Sequence, residues 1–554
     1  MEIEFKFHIP PERLAALEAE LHKGPVQRTR LQARYFDTPG SALARAGMAL
    51  RLRQEGERWV QTVKAAGHGL LHRLEHNAPL DDADTADDGM LQPDLQRHAD
   101  TEVGGRLARV LAKAGEPLVQ TFATDIWRLT RELRQDGATV ELALDQGRIL
   151  AADPGGGAPR EVAVCELELE LLGGPLPGLV TLARAWAQRH GLWLGTVSKA
   201  ERGERLMRGI DRVPAVNARP PGFDGAGSPD GAEVQRRVLA ACLAQVLPNA
   251  SEIAEGSEDE DQIHQLRVGL RRLRTALREL APLAPGFDPA WQAPLTATFR
   301  ALGAERDRTQ VMAQSREWLA GTGAPPVRLP PAPDAPTPAQ AVRDPAFQGV
   351  LVALVGHAAG GPELGRPAVA QAGHGAEGQA DRHPEADTAR PAGEGGAPKA
   401  DEAQDGPSEE RDDPPAPLDA DATQAHLRRR LRRLHRQSLR DAGRFDTLDD
   451  EQRHATRKRL KRLRYLAEFV APLLDEARTG RYLARLRPVQ DVLGLFNDQA
   501  TARRLYEQAA EQDAHAWFAV GWIAAQQPRT AKKAGQALRR LEDAPKFWKR
   551  RRKA

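Results

Sequence analysis

Glu2-Ile3-Glu4-Phe5-Lys6-Phe7 sets charged and apolar side chains in strict alternation. A β-strand sends successive side chains to opposite faces, so Glu2, Glu4 and Lys6 share one surface and Ile3, Phe5 and Phe7 the other. The same period of two recurs downstream. Arg51 pairs this way with Arg53, Thr62 with Lys64, Arg73 with Glu75 and Glu141 with Asp145, and Glu166, Glu168 and Glu170 alternate with leucines. One such strand reads equally well as an ordinary half-buried strand with a wet charged face. Several strands with acid and base on the same periodic face are explained together by a sheet closed into a barrel with a charged lumen.

Such a lumen suits a compact polyanion bound through metal. Guanidinium and ammonium groups satisfy phosphate oxygens at close range, and a triphosphate needs several of them. The carboxylates need another partner, and hard divalent cations such as Mg²⁺ or Mn²⁺ commonly bridge carboxylates to phosphates. Clustered glutamates and clustered arginines are then two halves of one site.

The whole chain sets wider bounds. At 554 residues it exceeds what one hydrophobic core usually supports, so two or more domains are expected. Its 79 Lys+Arg nearly balance 77 Asp+Glu, a net charge of +2, so attraction to polyanions must come from how the charge is distributed. Two cysteines far apart, Cys165 and Cys242, exclude a disulfide framework and a thiolate metal site and fit a reducing, cytoplasmic setting. With no apolar run of about 18 residues and no basic-then-apolar start, neither a membrane span nor a signal peptide is expected.

Residues 1–208 read as mostly β. Residues 209–231 are rich in Pro and Gly, without periodicity, and read as a linker. From Val234 the apolar residues fall at helical spacing, and residues 232–554 read as all-α. Within them, 356–420 is rich in Gly, Pro, Ala, Asp and Glu with almost no aromatic or β-branched side chains, the composition of a disordered insert. The helical half also repeats itself. His264-x-x-Arg267-x-x-x-Arg271-Arg272-x-Arg274 returns 190 residues later as His454-x-x-Arg457-x-x-x-Lys461-Arg462-x-Arg464. Leu302-Gly303-x-x-Arg306-Asp307 returns 191 residues later as Leu493-Gly494-x-x-Asn497-Asp498. Motifs returning in one order at one offset imply duplicated helical bundles related by a pseudo-two-fold axis, with the insert between them.

Residues 1–208 resemble the CYTH proteins, or triphosphate tunnel metalloenzymes. The resemblance rests on the ExExK of Glu2, Glu4 and Lys6 and on ordered blocks after it: Tyr35-Phe36-Asp37-Thr38, Gly47 to Arg53, Thr62-Val63-Lys64, Arg73-Leu74-Glu75, Asp145-Gln146-Gly147, Glu166 to Glu170 and Ser198-Lys199. It implies an eight-stranded antiparallel tunnel in which Lys6, Arg51, Arg53, Lys64, Arg73, Arg128 and Lys199 hold a triphosphate. The metal, Mg²⁺ or Mn²⁺, is then expected on Glu2, Glu4, Glu166, Glu168 and Glu170. Glu2, Glu4 and Lys6 stand as the catalytic group, with one of the two glutamates accepting the proton of the attacking water. The family includes inorganic, thiamine and RNA triphosphatases and class IV adenylate cyclases.

On the helix from about Asp261 to Leu280, His264, Arg267, Arg271, Arg274 and Arg278 follow steps of three and four, a basic stripe. Ile263, Leu266, Leu270, Leu273 and Leu277 form an apolar stripe beside it. Alone, the basic stripe is also what a solvated helix face looks like; its return at His454, Arg457, Lys461 and Arg464 argues for one positive groove. These blocks resemble the CHAD domain, the conserved histidine α-helical domain, over residues 232–350 and 423–545, departing from it in the insert and in Asn497. The resemblance implies binding of inorganic polyphosphate through His264, Arg267, Arg271, Arg272, Arg274, Arg278, Arg428, Arg432, His454, Arg457, Lys461, Arg462 and Arg464, with an association with polyphosphate granules compatible. A histidine charge switch near pH 6–7 is a further expectation.

The leading expectation is an α+β multidomain enzyme, an inorganic triphosphatase whose helical half binds polyphosphate. A non-catalytic polyphosphate-binding protein and a class IV-like adenylate cyclase are the alternatives, and no segment identifies an adenine pocket. Aromatic residues make up only 5% of the chain and hardly interleave with basic ones, which argues against nucleic acid as partner.

Overall fold

The computed structural model describes residues 2–67, 71–80, 92–153, 157–223, 227–329, 335–360, 416–445 and 447–549, without the side chains of residues 66, 72 and 304–307. Its strands are β1 (Glu2–His8), β2 (Gln27–Asp37), β3 (Met48–Glu55), β4 (Arg58–Ala66), β5 (His72–Leu80), β6 (Val119–Gln135), β7 (Ala138–Ala151), β8 (Arg160–Gly173) and the two-residue β9 (Trp193–Leu194). Helices in this half are α1 (Leu14–Leu21), α2 (Ala42–Arg45), α3 (Glu102–Ala114), α4 (Leu176–His190) and α5 (Lys199–Arg208). The strand order is β5-β4-β3-β2-β6-β7-β8-β1, all listed neighbours pairing antiparallel, and β1 pairs back onto β5 through Glu2 opposite Arg73 and Ile3 opposite His72. Eight strands therefore close on themselves, and β9 adds to the outside of the ring beside Phe7 and His8. Closure abolishes the sheet edges that a long open sheet would leave unpaired.

Alternation decides which face looks inward. The outward residues of β1, β7 and β8, among them Phe5, Phe7, Leu142, Leu144, Leu167 and Leu169, are buried in one core with Leu17, Leu21, Leu179, Ala183 and Trp186 of the covering helices. The charged positions are left to the enclosed side. The hairpin from β6 to β7 turns through Asp136 and Gly137, both with positive φ (49° and 78°), the backbone that a tight primed turn demands and Asp-Gly supplies.

The second half contains α6 (Gly231–Ala254), α7 (Glu260–Leu280), α8 (Gln292–Leu319), α9 (Pro338–Arg343), α10 (Pro345–Gly360), α11 (Ala420–Ala442), α12 (Asp450–Val470), α13 (Glu476–Ala509) and α14 (Ala516–Arg540). Asp259 caps α7 and Asp449 caps α12, each accepting from the backbone of the first turn, and each of these helices runs into a short 3₁₀ turn of sequence Ala-Pro-Leu, at Ala281–Leu283 and Ala471–Leu473. Caps and exits thus repeat at the same offset as the basic motifs.

Two expected boundaries change. The helix α10 passes through Gly356 to Gly360, so these five residues of the expected insert are helical; α11 starts at Ala420, and residues 361–415 of the expected insert lie outside the described residues. Gly356 reads as linker composition but serves close packing: a Cβ there would stand 2.5 Å from Val180 Cγ2 on α4. The linker after Gly209 has no regular secondary structure over 210–223, yet it is strapped down. Asn249 and Gln262 hold the backbone of Val216 and Val213, and Arg272 donates to the carbonyl of Arg219.

Candidate active site in the barrel lumen

The lumen is a cavity of about 1040 Å³ into which β1, β3, β4, β5, β6, β7, β8 and the start of α5 project. Lys6, Arg51, Arg53, Lys64, Arg73, Arg128 and Lys199 all line it, as do Glu2, Glu4, Glu168 and Glu170. Glu166 is fully buried behind them, where Lys6 (3.8 Å) and Arg202 (3.4 Å) approach it.

Two charge groupings share the lumen. In one, Asp145, Glu166 and Glu168 bring ligand oxygens within 4.8 Å of one another. Four cations hold them. Arg128 meets Asp145 in a bidentate pair (2.7 Å) and reaches Glu168 (2.6 Å). Lys199 contacts Asp145 (2.7 Å), Glu168 (2.9 Å) and Glu166; Lys6 lies 3.6 Å from Glu168, and Arg202 joins at Glu166. Burial alone would raise the Glu168 carboxyl, but Lys199, Arg128 and Lys6 hold it well below the usual carboxylate range.

In the other grouping acids outnumber bases. Lys64 pairs with Glu2 (3.0 Å) and Glu75 (2.6 Å), and Arg73 with Glu4 (3.0 Å). Burial pushes Glu2 up to about 7 against the pull of Lys64, aided by a hydrogen bond to Glu75. Burial also works against Glu75, but Lys64 and the Glu2 hydrogen bond bring it down to about 2. The two carboxyl groups therefore titrate as a pair. Burial raises Glu170, with Glu4 adding to it, and raises Glu141. A group of carboxylates with too few cations fits a divalent ion, whose charge would relieve that repulsion.

On β3, beside β4, the balance reverses. Arg51 donates to Tyr35 (3.4 Å), Arg53 pairs with Glu55, and the buried Nε of each lacks a hydrogen-bond partner. Burial and the neighbouring Arg51 pull Arg53 down to about 10. Cationic donors without enough acceptors fit an anion.

Every residue expected to bind substrate therefore meets in one cavity, while the five expected metal ligands divide: Glu166 and Glu168 cluster with Asp145, and Glu2, Glu4 and Glu170 lie outside that trio. Asp145, Glu75, Glu141, Arg202 and Tyr35 were not among the expected site residues. Period two on β5 and β7 marks the first three, and Lys199-x-x-Arg202 places Arg202 on the Lys199 side of α5.

The basic helices separate as well. Arg267, Arg271 and Arg274 of α7 gather over the ring of Phe299, with guanidinium carbons 5.2, 5.7 and 5.8 Å from its centroid. His454 and Arg457 line a cavity of about 400 Å³ with Arg453, Asn497 and Arg504. Burial pushes the His454 imidazole below its ordinary value, which moves the expected charge switch to lower pH. Arg272 is buried and ion-paired to Glu468 (3.4 Å), and Arg462 pairs with the buried Glu279 (3.5 Å). Arg430 also binds Glu279 (2.6 Å), Arg464 binds Glu468 (2.7 Å), and Arg428 donates to the Trp548 carbonyl (3.1 Å). Arg278 and Arg432 are exposed. The side chains of Arg306 and Asp307 lie outside those described, as does the end of the basic tail.

Family comparison agrees with this division. Residues 1–203 match the CYTH domain model and residues 237–507 the CHAD domain model. The chain is a CYTH domain joined to a CHAD domain. It is 29% identical over 214 residues to an inorganic triphosphatase of Haemophilus influenzae, an alignment taking in 37% of this chain and 54% of that protein. The chain thus spans about half the length of that relative. Among solved structures, the CHAD domain from the plant Ricinus communis is 22% identical, covering 60% of this chain and 98% of its own, with a TM-score of 0.38. A putative adenylyl cyclase from Hippeastrum, described as having a dominant triphosphatase activity, is 19% identical, covering 39% and 98%, with a TM-score of 0.28. Among the described residues of this CYTH–CHAD chain, no helix is long and apolar enough to cross a membrane.

Proposed function

We propose that the CYTH barrel hydrolyses inorganic triphosphate with Mg²⁺ or Mn²⁺ and that the CHAD domain binds inorganic polyphosphate, in a reducing cytoplasm. The observation that carries this reading is the enclosed lumen, in which cations short of acceptors face carboxylates short of cations. Arg51, Arg53, Lys64 and Arg73 hold phosphate oxygens from one side, and Lys6, Arg128 and Lys199 from the other. Of the expected metal ligands, Glu2, Glu4 and Glu170 would hold the ion where carboxylates outnumber cations, and Glu166 and Glu168, with Asp145, form a second carboxylate group that four cations already hold. When bound, the metal supplies charge neutralisation at phosphate and a more acidic water. The buried cations stabilise charge on the transferring phosphoryl group, worth far more in an enclosed site than in water. One of Glu2 and Glu4 accepts the proton of the attacking water.

Phosphate release from inorganic triphosphate with Mg²⁺ or Mn²⁺ tests this, with ATP as counter-screen and Glu166→Gln/Glu168→Gln as control. Metal-dependent release that the double variant loses supports the triphosphatase. A folded protein that releases no phosphate while still binding polyphosphate would leave a binding protein as the answer, and formation of cyclic AMP from ATP a cyclase.

A further inference from the structure

The CHAD helices grip the short piece of chain that delivers Lys199 to the lumen. That piece begins at β9, whose two residues pair only with Phe7 and His8 of β1. It passes through Gly195 to Ser198 and enters α5, where Lys199 is the first residue and Arg202 lies one turn on. Besides that strand, the Gly195 amide donates to the Lys6 carbonyl (3.0 Å).

The barrel holds α5 through the ion pairs of Lys199 and Arg202 and the packing of Ala200, Leu206 and Met207, and the other domain adds a second set of contacts. Glu255, at the end of α6, accepts from Trp193 Nε1 (2.8 Å) and sits 3.4 Å from His8 Nδ1, on the lumen-facing side of β1 two residues beyond Lys6. Arg343 lies flat on Trp193, 4.1 Å from the ring, and donates to the Ala254 carbonyl (2.7 Å). Gln348 accepts from the Leu194 amide (2.9 Å), and Ser251 from the Thr196 amide (3.2 Å). Glu252 binds Arg205 on α5 at 2.7 Å, both side chains 19% exposed. Five contacts thus reach residues 193–205, four from the last turn of α6 and its cap or from Arg343 beside them, while Thr196, Ser198 and Lys199 line the lumen.

We propose that Ser251, Glu252 and Glu255 are positioning residues for the triphosphate site, acting through residues 193–205 on Lys199 and Arg202. The proposal rests on the triphosphatase reading above and deepens it: the CHAD domain completes the site and is more than a tether. A cation on a loosely held segment must be ordered when substrate binds, and that cost weakens affinity; a segment held in advance avoids it. Substrate affinity should therefore depend on the interdomain grip more than turnover does.

The test uses the full chain. Glu252→Arg sets two cations against each other, and KM for triphosphate is expected to rise about tenfold with kcat changed less than about twofold. The reversed pair Glu252→Arg/Arg205→Glu should recover most of the loss, and Ser251→Ala, which removes one hydrogen bond and leaves folding intact, should raise KM about two- to threefold. The melting shift produced by inorganic triphosphate in EDTA gives a second readout without turnover and should shrink in the same order. Wild-type KM and wild-type shifts in folded Glu252→Arg and Ser251→Ala would overturn the positioning role. If the wild type binds triphosphate but hydrolyses none, the triphosphatase reading fails while the melting shift still decides the positioning role. If it does not bind triphosphate at all, both fall.

Discussion

Glu168→Gln removes one charge from a densely paired point in the lumen. Its carboxylate meets Arg128 at 2.6 Å, Lys199 at 2.9 Å and Lys6 at 3.6 Å. Removing one partner of a buried pair leaves an uncompensated charge and costs about 3–5 kcal/mol. The lower end applies here, because Asp145 still holds Arg128 and Lys199, and Glu166 still faces Lys6 and Arg202. About 3 kcal/mol in a domain of this size lowers its melting temperature by about 6–12 °C. The variant then has an excess of buried positive charge, which triphosphate can satisfy. At a ligand concentration a hundredfold above the wild-type Kd, triphosphate adds about 2.7 kcal/mol to the wild type. It should add more to the variant if its phosphates meet these cations. Differential scanning calorimetry in EDTA, with and without inorganic triphosphate, reads both effects. The gap between wild type and Glu168→Gln should at least halve with ligand, while metal-dependent phosphate release falls at least a hundredfold. A gap that triphosphate leaves unchanged would refute the assignment of Lys6, Arg128 and Lys199 to the phosphates.

Two further outcomes follow from the CHAD half. Burial and the nearby Arg236 hold the His357 imidazole down to about 4 from an ordinary 6.5, so the unfolded chain binds the proton more readily than the folded one. Its contribution is complete above pH 6.5 and is lost as pH falls towards 4, about 3 kcal/mol in all. Urea unfolding of wild type and His357→Phe across that window should show a shallower acid loss in the variant. The other outcome separates the arginines of α7: Arg271→Ala/Arg274→Ala should weaken polyphosphate binding and flatten its salt dependence. Arg272→Met should leave both within about twofold and change thermal stability instead, as read by titration at two salt concentrations beside a melt.

Alternation carried the barrel a long way in the sequence, because a charged face on so many strands is wasteful unless something encloses it. The decisive fact, that the leucine face of β8 is covered by α4 and the glutamate face turned inward, needs the covering helix in place. Asp145 escaped the expected ligand set because β7 shows only two acids at even spacing, too few to single out, and only the pairing of Asp145 opposite Glu166 brings it to the cluster. Arg202 escaped because α5 reads as a charged surface helix until its first turn is seen entering the barrel. The grip of α6 on residues 193–205 left no periodic trace, since it depends on single side chains from distant segments meeting backbone amides.

Arg272 and Arg462, grouped with the basic stripes in the sequence, lie in ion pairs between α7 and α12. Steps of three and four place Arg267, Arg271 and Arg274 on one side of α7, and Arg272, one residue from Arg271, is turned about 100° away from it. Its counterpart in the second copy is Arg462, and the two make reciprocal contacts: Arg272 of α7 reaches Glu468 of α12, and Arg462 of α12 reaches Glu279 of α7. The two acceptors are not equivalent positions, since Glu468 aligns with Arg278 and Glu279 with Phe469, but each helix offers the other's arginine a carboxylate at the seam. The second arginine of each Arg-Arg or Lys-Arg pair therefore belongs to the seam, and the first faces away from it. With α7 and α12 locked in this way, their basic stripes are fixed relative to one another before any polyanion arrives. If the CHAD half binds polyphosphate as proposed, the chain of phosphates meets a prearranged set of cations and need not order two independent helices.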